Sequence, residues 1–193
     1  METIVLKDRV TNKMTDEEFL WFCLENKDLR IERNSNLEVL IMSPVTSLSG
    51  FWNMEVSRQL ANWAVEQKEG YAFDSSTGFT LPDRSVLSPD ASWVSKNKWQ
   101  SLSAEDQNKF APICPEFVIE IKSKSDSLEG LQTKMKNWIA NGAQLAWLID
   151  PSQKKSFIYK SNGETKEVDG FDQKMKGEGI VEGFLLDLNL IKL

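Results

Sequence analysis

The sequence contains no histidine among its 193 residues. Without an imidazole the chain cannot build a Ser-His triad, a Cys-His pair, an HExxH motif or a histidine-rich zinc site. Any acid–base chemistry therefore falls to Asp, Glu, Lys, Tyr or water. This absence directs the search for a functional site to the acidic residues and the lysines.

Cysteines and long apolar runs are also scarce. Cys23 and Cys114 have no partner at a metal-binding spacing, so we expect reduced, buried thiols in a cytoplasmic protein rather than a disulfide. No apolar run is long enough to cross a bilayer, and the first residues lack a basic region followed by an apolar core. We therefore expect no signal peptide and no membrane partner.

The balance of charge is acidic, with 23 basic and 29 acidic residues and a formal net charge of −6. Acidic proteins do not usually bind nucleic acid through a broad basic surface. The argument against DNA binding is modest, however, because a metal-dependent nuclease needs an acidic site to hold its cation.

The length fits one domain with a substantial core. We expect a single domain over residues 1–193, with no internal repeat and no linker. Its parts would be an N-terminal helix and hairpin (1–45), a central core (51–160) and a C-terminal hairpin with an edge strand (161–193).

The segment 115–122, Pro-Glu-Phe-Val-Ile-Glu-Ile-Lys, alternates like a β-strand. Its apolar residues at every second position would face a core, and Glu120 and Lys122 would share the other face, about 7 Å apart. Such a pair has two interpretations. It is either an exposed ion pair on a half-solvated sheet or a metal ligand beside a catalytic lysine.

A second carboxylate, Asp90, stands at the start of another predicted strand, 89–94. If the two strands share a sheet, Asp90 could lie beside Glu120. With the main-chain carbonyl of Ile121, these carboxylates would form the hard oxygen site that Mg²⁺ or Mn²⁺ prefers. Lys122 could then stabilise charge on a phosphate or help to activate a water. The alternative for Asp90 is a turn-capping role.

Two amphipathic helices are predicted at 51–67 and 125–141, each ended by a following glycine. The first carries Asn53 and Glu55. Glu55 is a candidate additional metal ligand, although it lies about 100° from the apolar stripe, where a solvent-facing residue is also expected. The second carries Lys134 at the edge of its apolar face, where a lysine is as often solvated as functional. Further predicted elements are a helix capped by Thr15, a hairpin turning at 34–36, a strand over 71–81 with Gly78 inside it, a hairpin over 156–168 and an edge strand in 183–193.

The order of these elements resembles the PD-(D/E)xK nuclease superfamily, and in particular the restriction-endonuclease-like family known as Uma-two. The similarity runs from about residue 14 to the tail. The matching pieces are Arg30-Ile31-Glu32, Met42-Ser43-Pro44, Pro89-Asp90, the segment 115–123, Lys134-Met135 with Trp138, Gly142, and the segment 147–151.

The resemblance implies an α/β fold of the α+β kind, with a mixed sheet, a restriction-endonuclease-like core and flanking helices. It implies that Asp90 and Glu120, with Ile121, bind Mg²⁺ or Mn²⁺, and that Lys122 is the catalytic lysine. Lys134 is a second catalytic candidate, because members without the motif lysine commonly keep the helix lysine. The implied activity is hydrolysis of phosphodiester bonds in DNA, and a homodimer is expected of nucleases that cut both strands.

The sequence also departs from the family pattern. Asn53 stands near the place of a frequent histidine, Trp138 replaces the usual tyrosine, and Glu55 is only the nearest match to the helix glutamate of the superfamily. These differences leave a second hypothesis open, a nuclease-fold protein without turnover that binds nucleic acid or protein. Binding of Mn²⁺ would separate the two, because a decayed site should not hold the ion.

Overall fold

The computed structural model describes residues 3–6 and 14–192 of the protein. The predicted domain extent of 1–193 therefore includes residues 1–2, 7–13 and 193, which lie outside the described part. The helices are α1 (Asp16–Glu25), α2 (Ser47–Gln67), α3 (Lys96–Gln100), α4 (Ala104–Gln107) and α5 (Leu128–Ala140). The strands are β1 (Thr3–Leu6), β2 (Arg30–Arg33), β3 (Val39–Met42), β4 (Gly70–Asp74), β5 (Phe79–Thr80), β6 (Val86–Leu87), β7 (Ala91–Ser95), β8 (Phe117–Ile121), β9 (Leu145–Asp150), β10 (Lys155–Lys160), β11 (Thr165–Asp169), β12 (Lys174–Lys176) and β13 (Leu185–Asp187).

A six-stranded sheet forms the centre of the protein, in the order β11-β10-β9-β8-β7-β4. Only β8 and β9 run parallel, so the sheet is mixed as predicted. Strand β8, which contains Glu120, lies between β7, which follows Asp90, and β9, which begins at Leu145. This order confirms that the three predicted strands are neighbours. Every residue of β8 is buried, because helices cover both faces of this sheet. An exposed ion pair on a half-solvated sheet is therefore excluded for Glu120.

The long helix α2 covers one face of the six-stranded sheet. Its buried stripe, which includes Val56 and Leu60, packs against Phe117 and Ile119 of β8. The helix begins four residues before the predicted position 51, because the side chain of Thr46 caps it. A second difference concerns its end, which is formed by Lys68 in a left-handed conformation and not by Gly70.

Helix α5 covers the opposite face. Its fully buried Met135 and Trp138 pack with Val118 of β8 and Leu148 of β9. Ser127 caps the first turn, so the helix starts slightly later than predicted, and the positive φ of Gly142 lets the chain turn back into the sheet.

A five-stranded sheet, in the order β1-β3-β2-β6-β5, lies beside the first. Helix α1 packs on it through Phe19, and the guanidinium of Arg33 lies 4.7 Å from the centre of the Phe19 ring. Since side chains alternate along a strand, Ile31 and Arg33 of β2 face this helix. Arg30 and Glu32 therefore face the other way.

The two sheets are joined closely, since only residues 88–90 separate β6 from β7. Asp90 thus lies at the junction of the sheets. The predicted strand over 71–81 is wrong in its extent: it divides into β4 and β5, which belong to different sheets. At Gly78, between them, a β-carbon would come within 2.8 Å of the Phe110 ring, so only glycine fits without a shift.

The alternation in 183–193 predicted an edge strand. The C-terminal segment, however, does not extend the six-stranded sheet. Instead β13 pairs with β12 in a separate two-stranded sheet, and a 3₁₀ turn follows at Leu188–Ile191. Its apolar residues cover the α2 side of the core, where Phe184 stacks on Trp147 with ring centres 5.6 Å apart. Burial of this apolar surface explains the alternation that suggested an edge strand.

Both cysteines are free thiols, Cys114 buried and Cys23 partly buried. Burial raises the pKa of each thiol to about 12, so they stay protonated near neutral pH. Within the described residues, no helix combines the length and the apolar character needed to span a bilayer.

Candidate active site

A cavity of about 170 Å³ lies where the two sheets meet. The residues around it come from β2, β3, α2, β8 and α5, and from the junction between β6 and β7. Its apolar wall includes Leu40, Met42 and Leu131. The charged and amide side chains in its lining are those of Arg30, Glu32, Asn53, Asp90, Glu120, Asp126 and Lys134.

Asp90 reaches this cavity because of the register between β7 and β8. That antiparallel register pairs Ala91 with Ile119, so the next positions along the two chains, Asp90 and Glu120, come opposite each other. The main-chain N–H of Ile121 donates to Oδ2 of Asp90 at 2.8 Å. Two residues that are far apart in sequence are thus joined through the backbone.

The second oxygen of Asp90 is also occupied, since Nδ2 of Asn53 donates to Oδ1 at 3.0 Å. Burial raises the pKa of Asp90 above its ordinary value, and the N–H of Ile121 with the charges of Lys134 and Arg30 acts in the opposite direction. Asn53, a possible additional site residue from the sequence, therefore orients a carboxylate in the cavity.

Glu120 is almost fully buried and accepts two hydrogen bonds at its Oε1. One comes from Nε1 of Trp138 at 2.9 Å, and the other from Nζ of Lys134, also at 2.9 Å. Both donors lie on α5, and their i, i+4 spacing places them on one face of the helix. Burial raises the pKa of Glu120 to about 7, against the lowering effect of the Lys134 charge.

Lys134 is shared between two carboxylates, because its Nζ also lies 3.6 Å from Oε1 of Glu32. Burial acts to lower the pKa of Lys134, but the negative charges of Glu120 and Glu32 outweigh it and hold the pKa above its ordinary value. The lysine that the sequence placed at a helix edge is thus the cation at the centre of the acidic residues.

Glu32 is a residue of the candidate site that the sequence pattern did not indicate. It is buried, and its Oε1 accepts a hydrogen bond from the main-chain N–H of Ser88 at 3.0 Å. The signal was present in the matching piece Arg30-Ile31-Glu32. That piece did not read as a site because β2 carries charged residues on both faces, so burial of its acid could not be inferred from alternation.

Lys122 and Glu55 lie elsewhere. Nζ of Lys122 is 3.8 Å from Oδ2 of the buried Asp150 and donates to the carbonyl of Ser123 at 3.4 Å, and the residue is not part of the cavity lining. Its catalytic role stays a prediction. Glu55 pairs with Arg58 on α2 and is also absent from the lining, which leaves the helix without an acid at the site.

Asp90 and Glu120 contribute carboxylate groups to the cavity lining, the ligand chemistry that suits a hard divalent cation. Within residues 3–6 and 14–192, however, no group of three or more acidic or cysteine side chains is arranged to hold a metal ion. Asp90 and Glu120 therefore fit as a pair of ligands, in a site where Lys134 supplies the positive charge next to Glu120.

The sequence matches a known protein family over most of its length. The family described as "Uma2: Putative restriction endonuclease" matches residues 16–189, nearly the whole chain. The chain belongs to the Uma2 family. The charged and amide residues of the cavity lining all lie within the part of the sequence that matches Uma2. No curated protein is significantly similar to the chain.

Among solved structures, the Uma2 chain is similar to a crystal structure described as a putative nuclease belonging to DUF820 from Anabaena variabilis ATCC 29413. The TM-score is 0.74, the sequence identity is 20%, and the match covers 92% of this chain and 97% of that one. At this identity the likeness establishes the fold alone, which is restriction-endonuclease-like. A cryo-electron microscopy structure of a DrdV–DNA complex overlaps with 58% of this chain and 9% of that one, at 15% identity and a TM-score of 0.38.

Proposed function

We propose that this protein is a divalent-metal-dependent endonuclease that hydrolyses phosphodiester bonds in DNA. The observation that carries the proposal is the convergence of Asp90 and Glu120, from two strands, in one cavity with Lys134 at 2.9 Å from Glu120. Membership of the Uma2 family supports nuclease activity. The metal, the substrate DNA and the residue roles are the proposed part.

Asp90 and Glu120, with the carbonyl of Ile121, would hold Mg²⁺ or Mn²⁺. When bound, such an ion supplies polarisation of the scissile phosphate and a water of lowered pKa. The protein fixes the ligands in advance, because both oxygens of Asp90 are already oriented by Asn53 and by the N–H of Ile121. A fixed carboxylate loses little conformational entropy when it becomes a ligand.

Lys134 would neutralise negative charge that develops on the phosphate. A partly buried ammonium beside the ligands acts more strongly there than it would in bulk water. Glu32, on the other side of Lys134, positions the ammonium. Lys122, which the sequence motif assigns to the same role, is proposed as the second lysine and is tested together with Lys134.

The melting temperature tests the metal site. In the wild type, an ion that binds only the folded protein adds roughly 2.7 kcal/mol at a hundredfold excess over its dissociation constant. We therefore expect Mg²⁺ or Mn²⁺ to raise the melting temperature of the wild type but not of Asp90→Asn. Glu55→Gln is the matched control, since it removes an acid outside the cavity. An equal rise in all three proteins would show nonspecific binding and contradict the site.

Plasmid cleavage tests the activity. The wild type and Glu55→Gln should nick and linearise supercoiled DNA in Mg²⁺ or Mn²⁺ and be inert with a chelator, and Glu120→Gln should be inert throughout. A wild type that binds the ion at Asp90 but cuts neither supercoiled, linear nor single-stranded DNA would contradict the enzyme and favour the second candidate.

That second candidate is a nuclease-fold protein that binds nucleic acid or protein without turnover. One observation favours it, because α2 contributes the amide of Asn53 to the cavity and no carboxylate.

We further propose that the chain acts as one domain, in the cytoplasm and as a homodimer. Sedimentation at micromolar concentration, with and without duplex DNA, tests the dimer.

A further inference from the structure

Arg30 differs from the other arginines in the described part of the chain. Arg33 donates to the carbonyl of Arg84 and to Asp16, and Arg58 is paired with Glu55. Arg84 lies 3.4 Å from Asp16. Nε of Arg30, by contrast, is buried and has no hydrogen-bond acceptor among the described residues.

A buried donor without an acceptor costs free energy, and most buried polar groups in native proteins have a partner. The surroundings of Arg30 explain why none is supplied by the protein. Alternation along β2 places its side chain on the same face as Glu32, where both line the cavity with Asp90. The side chain that carries the unpaired donor therefore borders the candidate active site.

The charge of Arg30 also acts on that site. The pKa of Asp90 is raised mainly by burial, and Arg30 is one of the positive charges that oppose this effect. Among the described residues, the side-chain hydrogen bonds of Asp90 come from Asn53 and from the main chain of Ile121, and none comes from Arg30. The planar guanidinium thus keeps donors for an incoming anion.

We propose that Arg30 is a phosphate-binding residue, which holds a nonbridging oxygen of a backbone phosphodiester in the cavity. The guanidinium fork matches the oxygens of a phosphate, and charge-assisted hydrogen bonds of this kind are the strong ones. The site would then hold one phosphate between two cations on different elements, Arg30 on β2 and Lys134 on α5. The inference rests on the proposed function and names the group that the site binds.

Two measurements test it with Arg30→Gln, Arg30→Lys and the surface control Arg58→Gln. The first is the rise in melting temperature that inorganic phosphate produces in the presence of Mg²⁺. The second is fluorescence anisotropy of a labelled 20-base-pair duplex in Ca²⁺, at several salt concentrations, with the integrity of the duplex checked on a gel afterwards. The rise produced by Mg²⁺ alone reports whether each variant keeps its folded metal site.

The expected result is specific to Arg30. Arg30→Gln should keep the Mg²⁺ effect, lose the phosphate effect, bind DNA about tenfold more weakly, and lower the slope of log affinity against log salt by about 0.9. Arg30→Lys retains the positive charge but not the forked guanidinium, so its affinity for DNA should lie between those of the wild type and Arg30→Gln. It also replaces Arg30→Gln in the test if that variant does not fold. Arg58→Gln should match the wild type.

The outcomes separate this inference from the proposed function. If the wild type binds the duplex and both Arg30 variants keep its phosphate effect and its salt slope, the inference is wrong and the nuclease proposal stands. If phosphate stabilises the wild type through Arg30 but no duplex is bound, the phosphate site is supported and the DNA substrate is contradicted. If neither phosphate nor duplex binds the wild type, both are overturned.

Discussion

Nζ of Lys134 lies 2.9 Å from Oε1 of Glu120, although the two residues belong to different elements. Lys122 is only two positions from Glu120 along the chain, yet its Nζ is directed to Asp150 at 3.8 Å. The lysine that is near in sequence therefore pairs with another carboxylate, and the helix lysine is the partner of Glu120. We therefore expect cleavage to depend more on Lys134 than on Lys122.

Lys134→Ala should slow DNA cleavage by about a hundredfold or more, because it removes a partly buried charge that would stabilise the transition state. Lys122→Ala should slow cleavage by less than tenfold. The measurement is the initial rate of plasmid nicking, with the melting temperature of each variant as the control for folding. Normal cleavage by Lys134→Ala with loss in Lys122→Ala would reverse the assignment. Full activity in the double variant would remove both lysines from the mechanism.

Glu32→Gln should slow cleavage without removing the metal effect. The amide keeps an acceptor for the N–H of Ser88 but no longer attracts Lys134, so the ammonium loses one of its two carboxylate neighbours. The rise in melting temperature with Mg²⁺ should equal that of the wild type, because Glu32 positions Lys134 and does not bind the ion. Loss of that rise would identify Glu32 as a metal ligand instead.

The stability of the metal-free protein should fall as the pH rises from about 4.5 to about 7. Burial raises the pKa of Glu120 from 4.5 to about 7, so the folded state keeps a proton in this window that the unfolded chain has released. The folded state then binds more protons, and stability decreases with pH, by on the order of 3 kcal/mol over the window. The measurement is urea unfolding in chelator at a series of pH values.

Glu120→Gln is the control for this pH dependence. The variant cannot ionise at this position, and all other titrating groups are shared, so the difference between the two curves reports Glu120. The wild type should lose stability relative to the variant as the pH rises. Parallel curves would show that Glu120 titrates in the folded protein as it does in the unfolded chain.

Trp138→Phe should destabilise the protein more than Trp147→Phe. Both indoles are fully buried, but Nε1 of Trp138 donates to Glu120, whereas Nε1 of Trp147 has no hydrogen-bond partner in the described structure. The two substitutions remove similar volumes, so the difference of about 1–3 kcal/mol reflects the hydrogen bond to a buried carboxylate. Chemical unfolding of both variants measures it. Equal losses of stability would mean that the hydrogen bond from Trp138 to Glu120 contributes no stability beyond the packing of the indole.

Two residues of the candidate site, Asp90 and Glu120, could be predicted as neighbours from local pattern. An acid among apolar residues in the segment 115–122 indicated Glu120, and the order of Asp90 before it indicated a partner strand. Both are properties of neighbouring residues in the chain. The register that brings Asp90 and Glu120 opposite each other is consistent with that prediction, because buried strands fix their pairing by the face that they bury.

The parts that could not be predicted depend on tertiary structure. Alternation placed Lys122 beside Glu120, but β8 ends at Ile121, and the two-residue period holds only while the strand continues. Burial of Glu32 and of Nε of Arg30 arises where the five-stranded sheet meets the six-stranded one, and no pattern within β2 indicates that contact. The strand over 71–81 was likewise divided by a change of sheet at Gly78.

In the short connection 88–90 between the two sheets, the number of residues is more tightly constrained than the identity of the residues that donate the hydrogen bonds holding it. Glu32 holds it at one end through the N–H of Ser88, and at the other end Asp90 is held by the N–H of Ile121. Both bonds use main-chain donors, which a change of the donating residue to any type except proline preserves. A single inserted or deleted residue, in contrast, would shift Asp90 out of register with Glu120. Natural variation at this junction should therefore be found as substitution and not as a change of length.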